Sequence, residues 1–486
     1  MRTLARLSAA LALAAAIAAL ACSRRPKEEV IPEREDLLRS AESWLADESV
    51  RLLRDYVRID TSEGHGEKKG AEFLREIFDC AGIETELVCP APERCNLLAR
   101  LPGRRRDGAL LLLNHIDVAP APFPEYWKEA PPVEGRIQRG YLYGRGAYDM
   151  KSLAIAQALA LRAVKERGIV PGSDILFLAE ADEELGQKWG ARWLLANRPE
   201  WFRGVSWVVN EGGTNEMILR DVRVWGIETL QAGYGMGEFE SAAPQELQAL
   251  AGRWRTVSGG TVAPHPHVTA GFDLLANHLG SPLTDPLRHL DRVRSDPREL
   301  AVLPDRYGSF LEPRAYWSPP YPAPEGRSRA YVTLSLPPGT SPGPYLQRIT
   351  DDARAHGMAV TRAFSSEPTS ASPYLDGPGR LVSFVDVLKR VTQAHYPGVP
   401  FGPVPTAGAY TTSTLFRRHG IPTYGYSPIP MNITDAARRH DLNERVFLRD
   451  YVNGVEVFRD ILEEFAMTSP LPPPPGENQA SGPPAR

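Results

Sequence analysis

The chain has 486 residues, of which 42% are hydrophobic and 24% charged, and its formal net charge is only −4. This length exceeds what one ordinary hydrophobic core accommodates, so we expect two folded domains with tails. The small net charge excludes the strongly basic field of a nucleic-acid-binding protein and the acidic excess of a disordered solvating chain. The composition is otherwise that of a globular protein.

The N-terminus has the pattern of an export signal. Arg2 and Arg6 precede an apolar run over residues 7–21, and Cys22 follows it. The run is shorter than the about 20 apolar residues of a membrane span, so residues 1–21 are predicted to be a signal peptide. The segment before Cys22 resembles a bacterial lipoprotein processing site, which would make Cys22 the lipidated first residue. Ordinary cleavage after residue 21 is the alternative. We expect an exported protein, anchored to the membrane by that lipid alone and facing the periplasm or cell surface.

The first half of the folded chain alternates predicted helices with short apolar runs. Such continuous runs are typical of strands that are buried on both faces of a sheet. The succession predicts an α/β fold with a mostly parallel sheet covered by helices. The predicted helices cover residues 37–59, 152–164 and 191–196, and the predicted strands cover residues 109–113, 174–179 and 206–210.

Three further cysteines, Cys80, Cys89 and Cys95, lie in this half of the chain. In an oxidising compartment Cys89 and Cys95 could close a small disulfide loop. Cys80 follows a helical pattern and is expected to be a buried thiol. Their spacings do not match a zinc site.

After about residue 220 the pattern changes to alternating strands, helices and Pro-rich connections, which indicates an inserted α+β domain. The helix-and-strand pattern of the first half then returns and ends in a helix over residues 449–465. The predicted organisation is a tether at 22–35, a main domain at 36–220 and 359–468, an insertion at 221–358, and a disordered Pro-rich tail at 469–486.

Carboxylates and imidazoles follow the predicted buried strands at the points where the strands end. In an open α/β sheet, ligands gather at the carboxyl ends of the strands. Another carboxylate comes just before the helix at residues 152–164. Histidine and carboxylate side chains are the ligand chemistry of a zinc pair. The residues in these positions are His115, Asp117, Asp149, Glu183, Glu184 and Glu211.

Taken singly, these residues have ordinary structural explanations. Asp149 could be a helix N-cap, and Glu183 with Glu184 could be a solvated helix start favoured by the dipole. Glu211 could be a loop charge and His440 a solvated helix residue. Their occurrence together, in order and after the predicted strands, favours a metal site.

Five ordered motifs carry a resemblance to a known family. They are His-Ile-Asp-Val-Ala-Pro at 115–120, Gly-Arg-Gly-Ala-Tyr-Asp-Met-Lys at 144–151, Asp-Glu-Glu-Leu-Gly at 182–186, Asn-Glu-Gly-Gly at 210–213 and His-Asp-Leu-Asn-Glu at 440–444. Together they resemble the co-catalytic zinc exopeptidase superfamily of aminoacylase-1, carboxypeptidase S, carnosinase-type dipeptidases and succinyl-diaminopimelate desuccinylase. The resemblance covers roughly residues 35–465. It implies a catalytic main domain, a lid formed by the insertion, and two Zn²⁺ ions, with Co²⁺ or Mn²⁺ as substitutes.

The resemblance also implies the ligands of both ions. Asp149 would bridge them, His115 and Glu211 would complete one site, and Glu184 and His440 would complete the other. Two cations held in this way lower the pKa of a shared water.

Two further residues would act beside the ligands. Glu183 would be the general base that takes a proton from this water and passes it to the leaving amine. The Asp117 carboxylate would accept the second N–H of His115 and fix its tautomer. A cis peptide bond is expected at Asp149–Met150.

The lid departs from the family pattern. Glu240 stands where a histidine normally reaches the partner subunit and stabilises the oxyanion, and Ser335 stands where an arginine often binds the substrate carboxylate. Thr412 and Thr414 stand where relatives usually carry an aspartate and an arginine. Candidate replacements are His265, His267 and His278 for the lid histidine, and Arg417 or Arg418 for the arginine.

The resemblance implies hydrolysis of a small peptide or an N-acyl amino acid by a carboxypeptidase, dipeptidase or aminoacylase. The altered lid supports an alternative, a catalytically impaired surface lipoprotein that binds a metal and a ligand. Retention of Glu183 opposes that alternative, because a binding protein needs no general base. A synthetic or transferase reaction at the same centre is a third interpretation. Relatives often dimerise through the lid, but loss of the lid histidine removes the main sequence reason to expect a homodimer.

Overall fold

The computed structural model describes residues 34–121, 124–218, 221–257, 259–279 and 284–468. The predicted signal peptide, Cys22 and the Pro-rich tail lie outside these residues. Within the described ranges the chain forms four β-sheets. No helix there is both long and apolar enough to cross a membrane.

The strands are numbered in chain order. They are β1 (Glu84–Ala91), β2 (Arg94–Leu101), β3 (Arg105–His115), β4 (Arg136–Gln138), β5 (Tyr141–Tyr143), β6 (Ser173–Glu180), β7 (Val205–Asn210), β8 (Thr214–Ile218), β9 (Asp221–Ile227), β10 (Gly233–Ser241), β11 (Arg314–Trp317), β12 (Tyr321–Pro322), β13 (Ser328–Leu336), β14 (Ala359–Ser365), β15 (Phe401–Pro403), β16 (Thr423–Gly425), β17 (Met431–Asn432) and β18 (Arg445–Phe447).

The α-helices are numbered in the same way. They are α1 (Arg34–Leu38), α2 (Ala41–Leu45), α3 (Glu48–Val57), α4 (Lys68–Asp79), α5 (Lys151–Glu166), α6 (Ala191–Asn197), α7 (Pro244–Arg253), α8 (Pro266–Leu279), α9 (Thr284–Arg288), α10 (Leu290–Ser295), α11 (Pro297–Leu300), α12 (Asp305–Gly308), α13 (Gly343–Ala355), α14 (Ser383–His395), α15 (Ser413–Arg418), α16 (Ile433–Ala436) and α17 (Leu448–Thr468).

The largest sheet has six strands in the order β1-β2-β6-β3-β7-β16. Its β6, β3, β7 and β16 strands are parallel, whereas β2 pairs antiparallel with β6 and with the edge strand β1. The apolar run of β3 is buried on both faces, as its sequence predicted. Leu110 and Leu112 pack into one hydrophobic cluster, and Leu111 and Leu113 pack into the cluster on the other face. The predicted α/β class and mostly parallel sheet are therefore confirmed.

The predicted helix over residues 37–59 is wrong as a single element, because three short helices replace it. The Ser40 side chain caps α2 by accepting a hydrogen bond from the N–H of Ser43, and Asp47 caps α3 through the N–H of Ser49. Each cap begins a new helix within a region whose apolar spacing is helical throughout.

One of the two predictions about these cysteines is confirmed, and the other is wrong. Cys89 and Cys95 form a disulfide across the turn between β1 and β2. Cys80, predicted to be buried, is exposed. It is the C-cap residue of α4, just past the buried Ile77 and Phe78 of that helix.

The lid is the antiparallel sheet β11-β13-β10-β14, with β12 paired to β13, and it carries α7 and α13. The bounds of this sheet differ from those of the predicted insertion at 221–358. β9 pairs with β8 and β15 in a separate four-stranded sheet, so the lid sheet begins only at Gly233. β14 pairs with β10, so the lid sheet ends at Ser365.

The segment between α7 and β11 forms a second, helical unit from α8 to α12. Its apolar core includes Phe272, Leu290 and Phe310, and it packs against Val224 of β9 and Val404 after β15. This helical unit therefore contacts the catalytic domain rather than extending the lid sheet.

Candidate metal centre

His115 and Asp117 lie at the carboxyl end of β3. The His115 ring is buried, with Nδ1 2.8 Å from the main-chain oxygen of Asp117. The Asp117 carboxylate is 3.7 Å from that nitrogen. It accepts hydrogen bonds from the main-chain N–H groups of Glu183 and Glu184, at 3.0 and 2.9 Å. The carbonyl of Asp117, rather than its carboxylate as the resemblance implied, is the near acceptor for His115, because the carboxylate is engaged by the loop after β6.

Asp149 lies between β5 and α5, and the Asp149–Met150 peptide bond is cis, as expected. One oxygen of the buried Glu444 accepts hydrogen bonds from the main-chain N–H groups of Tyr148 and Asp149, at 3.0 and 3.1 Å. Its other oxygen accepts from Arg145 at 2.6 Å. The buried Arg145–Glu444 pair therefore holds the chain at Asp149. Both residues lie within the quoted motifs, which was the available signal, but the motifs alone assigned them no role.

The two oxygens of Asp149 face two different imidazoles. Oδ1 lies 3.3 Å from Nε2 of His115, and Oδ2 lies 3.0 Å from Nε2 of His440. Each imidazole has a second carboxylate neighbour: Glu211 at 3.7 Å from His115 and Glu184 at 2.9 Å from His440. The arrangement is two half-sites that share one carboxylate.

The donor atoms of this cluster fit divalent metal ions. The buried Oε1 of Glu183 has no hydrogen bond to any described residue. Buried carboxylate oxygens without a donor are costly unless a cation pairs with them. Imidazole nitrogens with carboxylate oxygens suit zinc, and manganese or cobalt could share such a set.

Glu183 also lies within reach of this cluster. One ligand atom from each of His115, Glu183 and Glu211 lies within 4.8 Å of the others, as does one from each of His115, Asp149 and Glu184. These distances are therefore compatible with two roles for Glu183, a base beside the ligands or a ligand itself.

Burial and neighbouring charges shift the protonation of the cluster. Burial raises the pKa of Glu183 and of Glu211 well above the ordinary value. Burial also opposes ionisation of Asp149, but hydrogen bonds from His115 and His440 outweigh it and hold the pKa of Asp149 well below its usual range.

The imidazoles respond in the opposite direction. Burial opposes their protonation, yet the surrounding carboxylates raise the pKa of His115 and His440 well above the ordinary value. Protons on the two rings neutralise part of the carboxylate charge. A divalent ion that binds there would have to displace them.

A cavity of about 330 Å³ opens above this cluster, between the catalytic domain and the lid. The rings of Tyr234, Phe364 and Tyr410 form an aromatic wall, with Phe364 and Tyr410 4.8 Å apart. Two arginines, Arg362 of the lid strand β14 and Arg439 beside His440, also line the cavity. Sequence reasoning singled out none of these five residues. The one local signal was the position of Arg439 next to a motif histidine.

The residues at the altered lid positions have other partners in the structure. The Glu240 carboxylate forms ion pairs with Arg327 and Arg329, at 2.6 and 2.7 Å. Ser335 accepts a hydrogen bond from the N–H of Gly408, which lines the cavity. Thr412 hydrogen-bonds with Gln187. The Thr414 hydroxyl donates to the carbonyl of Thr411.

The candidate replacements named from the sequence do not line the cavity among the described residues. His267 lies 2.8 Å from the Thr229 hydroxyl and beside His265, and His278 is exposed. Arg417 is buried and pairs with the buried Glu228 at 2.9 Å, whereas Arg418 is exposed. The Arg417 candidate is wrong for this cavity, because a buried ion pair holds its side chain elsewhere. The histidines were candidates for a group that reaches the partner subunit, so their role stays a prediction.

Comparison with known proteins agrees with this geometry. Residues 111–464 match the model of peptidase family M20/M25/M40. Aminoacylase-1 of Mus musculus is 26% identical over 441 residues, which cover 87% of this chain and 97% of that protein.

Solved structures share the fold. Human carnosine dipeptidase 1 has a TM-score of 0.63 at 16% identity, covering 87% of this chain and 97% of its own. The M20 family metallo-carboxypeptidase Sso-CP2 from Sulfolobus solfataricus has a TM-score of 0.61 at 17% identity, covering 87% of this chain and 100% of its own. The resemblance predicted from the five motifs is confirmed.

Proposed function

We propose, from the premise that this chain belongs to peptidase family M20/M25/M40, that it is a two-metal hydrolase of small peptides or N-acyl amino acids. Membership of the family makes it a metal-dependent peptidase or amidohydrolase. The observation that carries the finer proposal is the placement of Asp149, whose two oxygens face His115 and His440 at 3.3 and 3.0 Å.

The residues that would hold the ions are those of the two half-sites. His115, Asp149 and Glu211 would hold one, and Asp149, Glu184 and His440 the other, with zinc as the metal that the donors suit best. Two such ions, when bound, polarise a substrate carbonyl and lower the pKa of a water.

Glu183 is the residue best placed to move the proton. Its carboxylate is buried beside the half-sites, and its Oε1 accepts no hydrogen bond from any described residue, which leaves that oxygen free to accept a proton. As water attacks, Glu183 would take its proton, and it would deliver that proton to the nitrogen when the C–N bond breaks. The hydrogen bond from its N–H to Asp117 fixes the loop that carries it.

The cavity supports a small substrate. A volume of about 330 Å³, bounded by three aromatic rings, suits one or two amino-acid residues rather than a long peptide. The matched relatives include an aminoacylase and a dipeptidase by name. We therefore place the substrate among dipeptides and N-acyl amino acids.

We also propose that the chain is exported and attached to a membrane through lipid on Cys22. The disulfide between Cys89 and Cys95 supports an oxidising compartment. Expression with radiolabelled fatty acid should label the wild type in the membrane fraction, whereas Cys22→Ser should be unlabelled. Ordinary processing would leave both proteins unlabelled and soluble after export.

The test of the proposed reaction is a panel of dipeptides and N-acyl amino acids with the zinc-loaded protein. Glu183→Gln should lower turnover by about 10²–10⁴-fold, the range of general acid–base catalysis, while two ions remain bound. Glu325→Gln, at an exposed turn of the lid, is the matched control and should not change the rate. No turnover in the wild type despite two bound ions would favour the binding-protein alternative.

A further inference from the structure

Arg439 places a cation beside the proposed metal ligands. Its Nε lies 3.7 Å from Oδ2 of Asp149, and its side chain is 44% exposed and lines the cavity. Among the described residues, the guanidinium donates no hydrogen bond. Its donors are therefore available to a ligand in the cavity.

The other arginines of this region pair with carboxylates that are not proposed metal ligands. Arg145 pairs with Glu444 at 2.6 Å and Arg417 pairs with Glu228 at 2.9 Å, both in buried surroundings. Arg362, which also lines the cavity, pairs with Glu63 at 3.3 Å from the lid side. Arg439 differs from these three in facing the cluster itself.

Arg439 lies beside the carboxylate that the two half-sites share, with its Nε 3.7 Å from Oδ2 of Asp149. The side chain stays cationic at any pH at which the protein is folded. A permanent positive charge that lines the same cavity as the proposed ligands and Glu183 is suited to a negative charge that develops there.

Amide hydrolysis creates such a charge. When the water oxygen bonds to the carbonyl carbon, the π electron pair moves onto the carbonyl oxygen. A donor that meets this oxyanion lowers the barrier, and the loss of one such donor costs about 10²–10³-fold in turnover. Glu240 of the lid cannot supply it, because its carboxylate is an acceptor and is held by Arg327 and Arg329.

We propose that Arg439 is a catalytic residue that donates hydrogen bonds to the oxyanion of the tetrahedral intermediate. The proposal rests on the amide hydrolysis proposed above. Collapse of the intermediate returns the electron pair to the carbonyl, breaks the C–N bond and leaves the proton from Glu183 on the nitrogen. Arg439 neither gains nor loses a proton in this cycle.

The experiment compares Arg439→Ala and Arg439→Lys with the wild type on whichever panel substrate the wild type hydrolyses. Arg439→Ala should lower kcat by about 10²–10³-fold and change KM by less than about threefold, with two ions still bound. Guanidinium ion added to the medium should restore part of this loss. Arg438→Ala is the matched control, because Arg438 is the neighbouring arginine and is not among the residues that line the cavity.

A second readout needs no turnover. A phosphinate analogue, which mimics the tetrahedral intermediate, should bind Arg439→Ala about 10²-fold more weakly than the wild type by calorimetry. The affinity for the product amino acid should stay the same. The kinetic comparison separates this proposal from the proposed reaction, because the wild type must hydrolyse the substrate before the variant is judged.

Three results would overturn the assignment. An unchanged kcat with a raised KM, together with weaker product binding, would make Arg439 a substrate anchor. Loss of bound metal would make it a residue that supports the half-sites. A phosphinate that binds both proteins equally would remove the oxyanion role.

Discussion

The floor and the wall of the cavity are built in different ways. The floor comprises the proposed metal ligands His115, Asp149, Glu184, Glu211 and His440, four of which lie at strand ends or a helix start of the catalytic domain. The wall comprises Tyr234, Arg362, Phe364 and Tyr410, which come from two lid strands and a loop. The floor depends on short motifs, whereas the wall depends on contacts between distant segments.

The wall also has a buried support. Arg417 pairs with Glu228, whose other oxygen accepts a hydrogen bond from Gln231 at 3.0 Å. Gln231 donates to the hydroxyl of Thr411 at 2.9 Å, and Thr411 lines the cavity. An ion pair behind the wall thus holds the loop that the substrate would contact. Because the floor and the wall come from different segments, we expect that substitutions in the floor and in the wall have separable effects on catalysis and on substrate preference.

The largest effect is expected at the floor from Asp149→Asn. The amide keeps the shape but provides one neutral oxygen in place of a shared carboxylate, so both half-sites weaken together. We expect metal content to fall from two ions to fewer than one, and turnover to fall by about 10³-fold or more. Metal analysis after dialysis measures this directly. Asp386→Asn, on an exposed face of α14, is the control, and retention of two ions in Asp149→Asn would contradict the shared-ligand geometry.

The next effect is expected behind the wall from Arg417→Met. Removing the arginine leaves Glu228 buried without its partner, which should lower the free energy of unfolding by about 3–5 kcal/mol. Adding Glu228→Gln should recover part of the loss. Urea denaturation of the wild type, the single variant and the double variant measures the free energy of unfolding. A decrease below about 1 kcal/mol in the single variant would show that the ion pair is replaceable.

Metal binding at the floor should strengthen as pH rises. The metal-free imidazoles of His115 and His440 have raised pKa values, so each ion must displace a proton below those values. We expect affinity to rise by about tenfold per pH unit for the ion at His440, with proton release, until the imidazole is neutral. The rise should be steeper for the ion at His115, because Glu211 in that half-site also has a raised pKa. Calorimetry in buffers of different ionisation enthalpy counts the protons. The assay would cover about pH 5.5 to about pH 7.5, around the ordinary titration range of imidazole. A metal affinity that does not change over this range would contradict the displacement of protons.

The smallest effect is expected at the wall from Arg362→Ala. The Arg362–Glu63 pair is partly exposed, so the guanidinium can exchange Glu63 for a substrate carboxylate at little cost. We expect KM to rise about fivefold for substrates with a free carboxylate and to stay unchanged for their amides, with kcat preserved. Glu63→Gln should lower KM slightly for the same substrates. Equal effects on acids and amides would exclude carboxylate recognition by Arg362.

The floor could be predicted from the sequence because each ligand follows a recognisable strand or motif. The wall could not, because Arg362 approaches the cavity only through the pairing of β14 with β10, which no local pattern indicates. Arg417 illustrates the same limit. Its place near the altered loop suggested an anchor, whereas the structure pairs it with Glu228, which lies 189 residues away in the chain.

Local capping accounts for another difference between the predicted and the observed fold. Ser40 and Asp47 divide a region of helical periodicity into three helices, because a cap satisfies backbone N–H groups that periodicity does not register. Asp117 was correctly placed near His115, but its carboxylate faces the loop of Glu183 and Glu184. Motif order locates such residues, and only the fold decides which atoms meet.

The central claim is that Asp149 is shared between two ions while Glu183 remains a free base. The most direct measurement is anomalous diffraction at the zinc edge from crystals of the zinc-loaded protein. The account predicts two peaks, one coordinated by His115, Glu211 and Asp149, the other by His440, Glu184 and Asp149. A single peak, or a zinc ion with Glu183 in its coordination shell in place of Glu184 or Glu211, would contradict it.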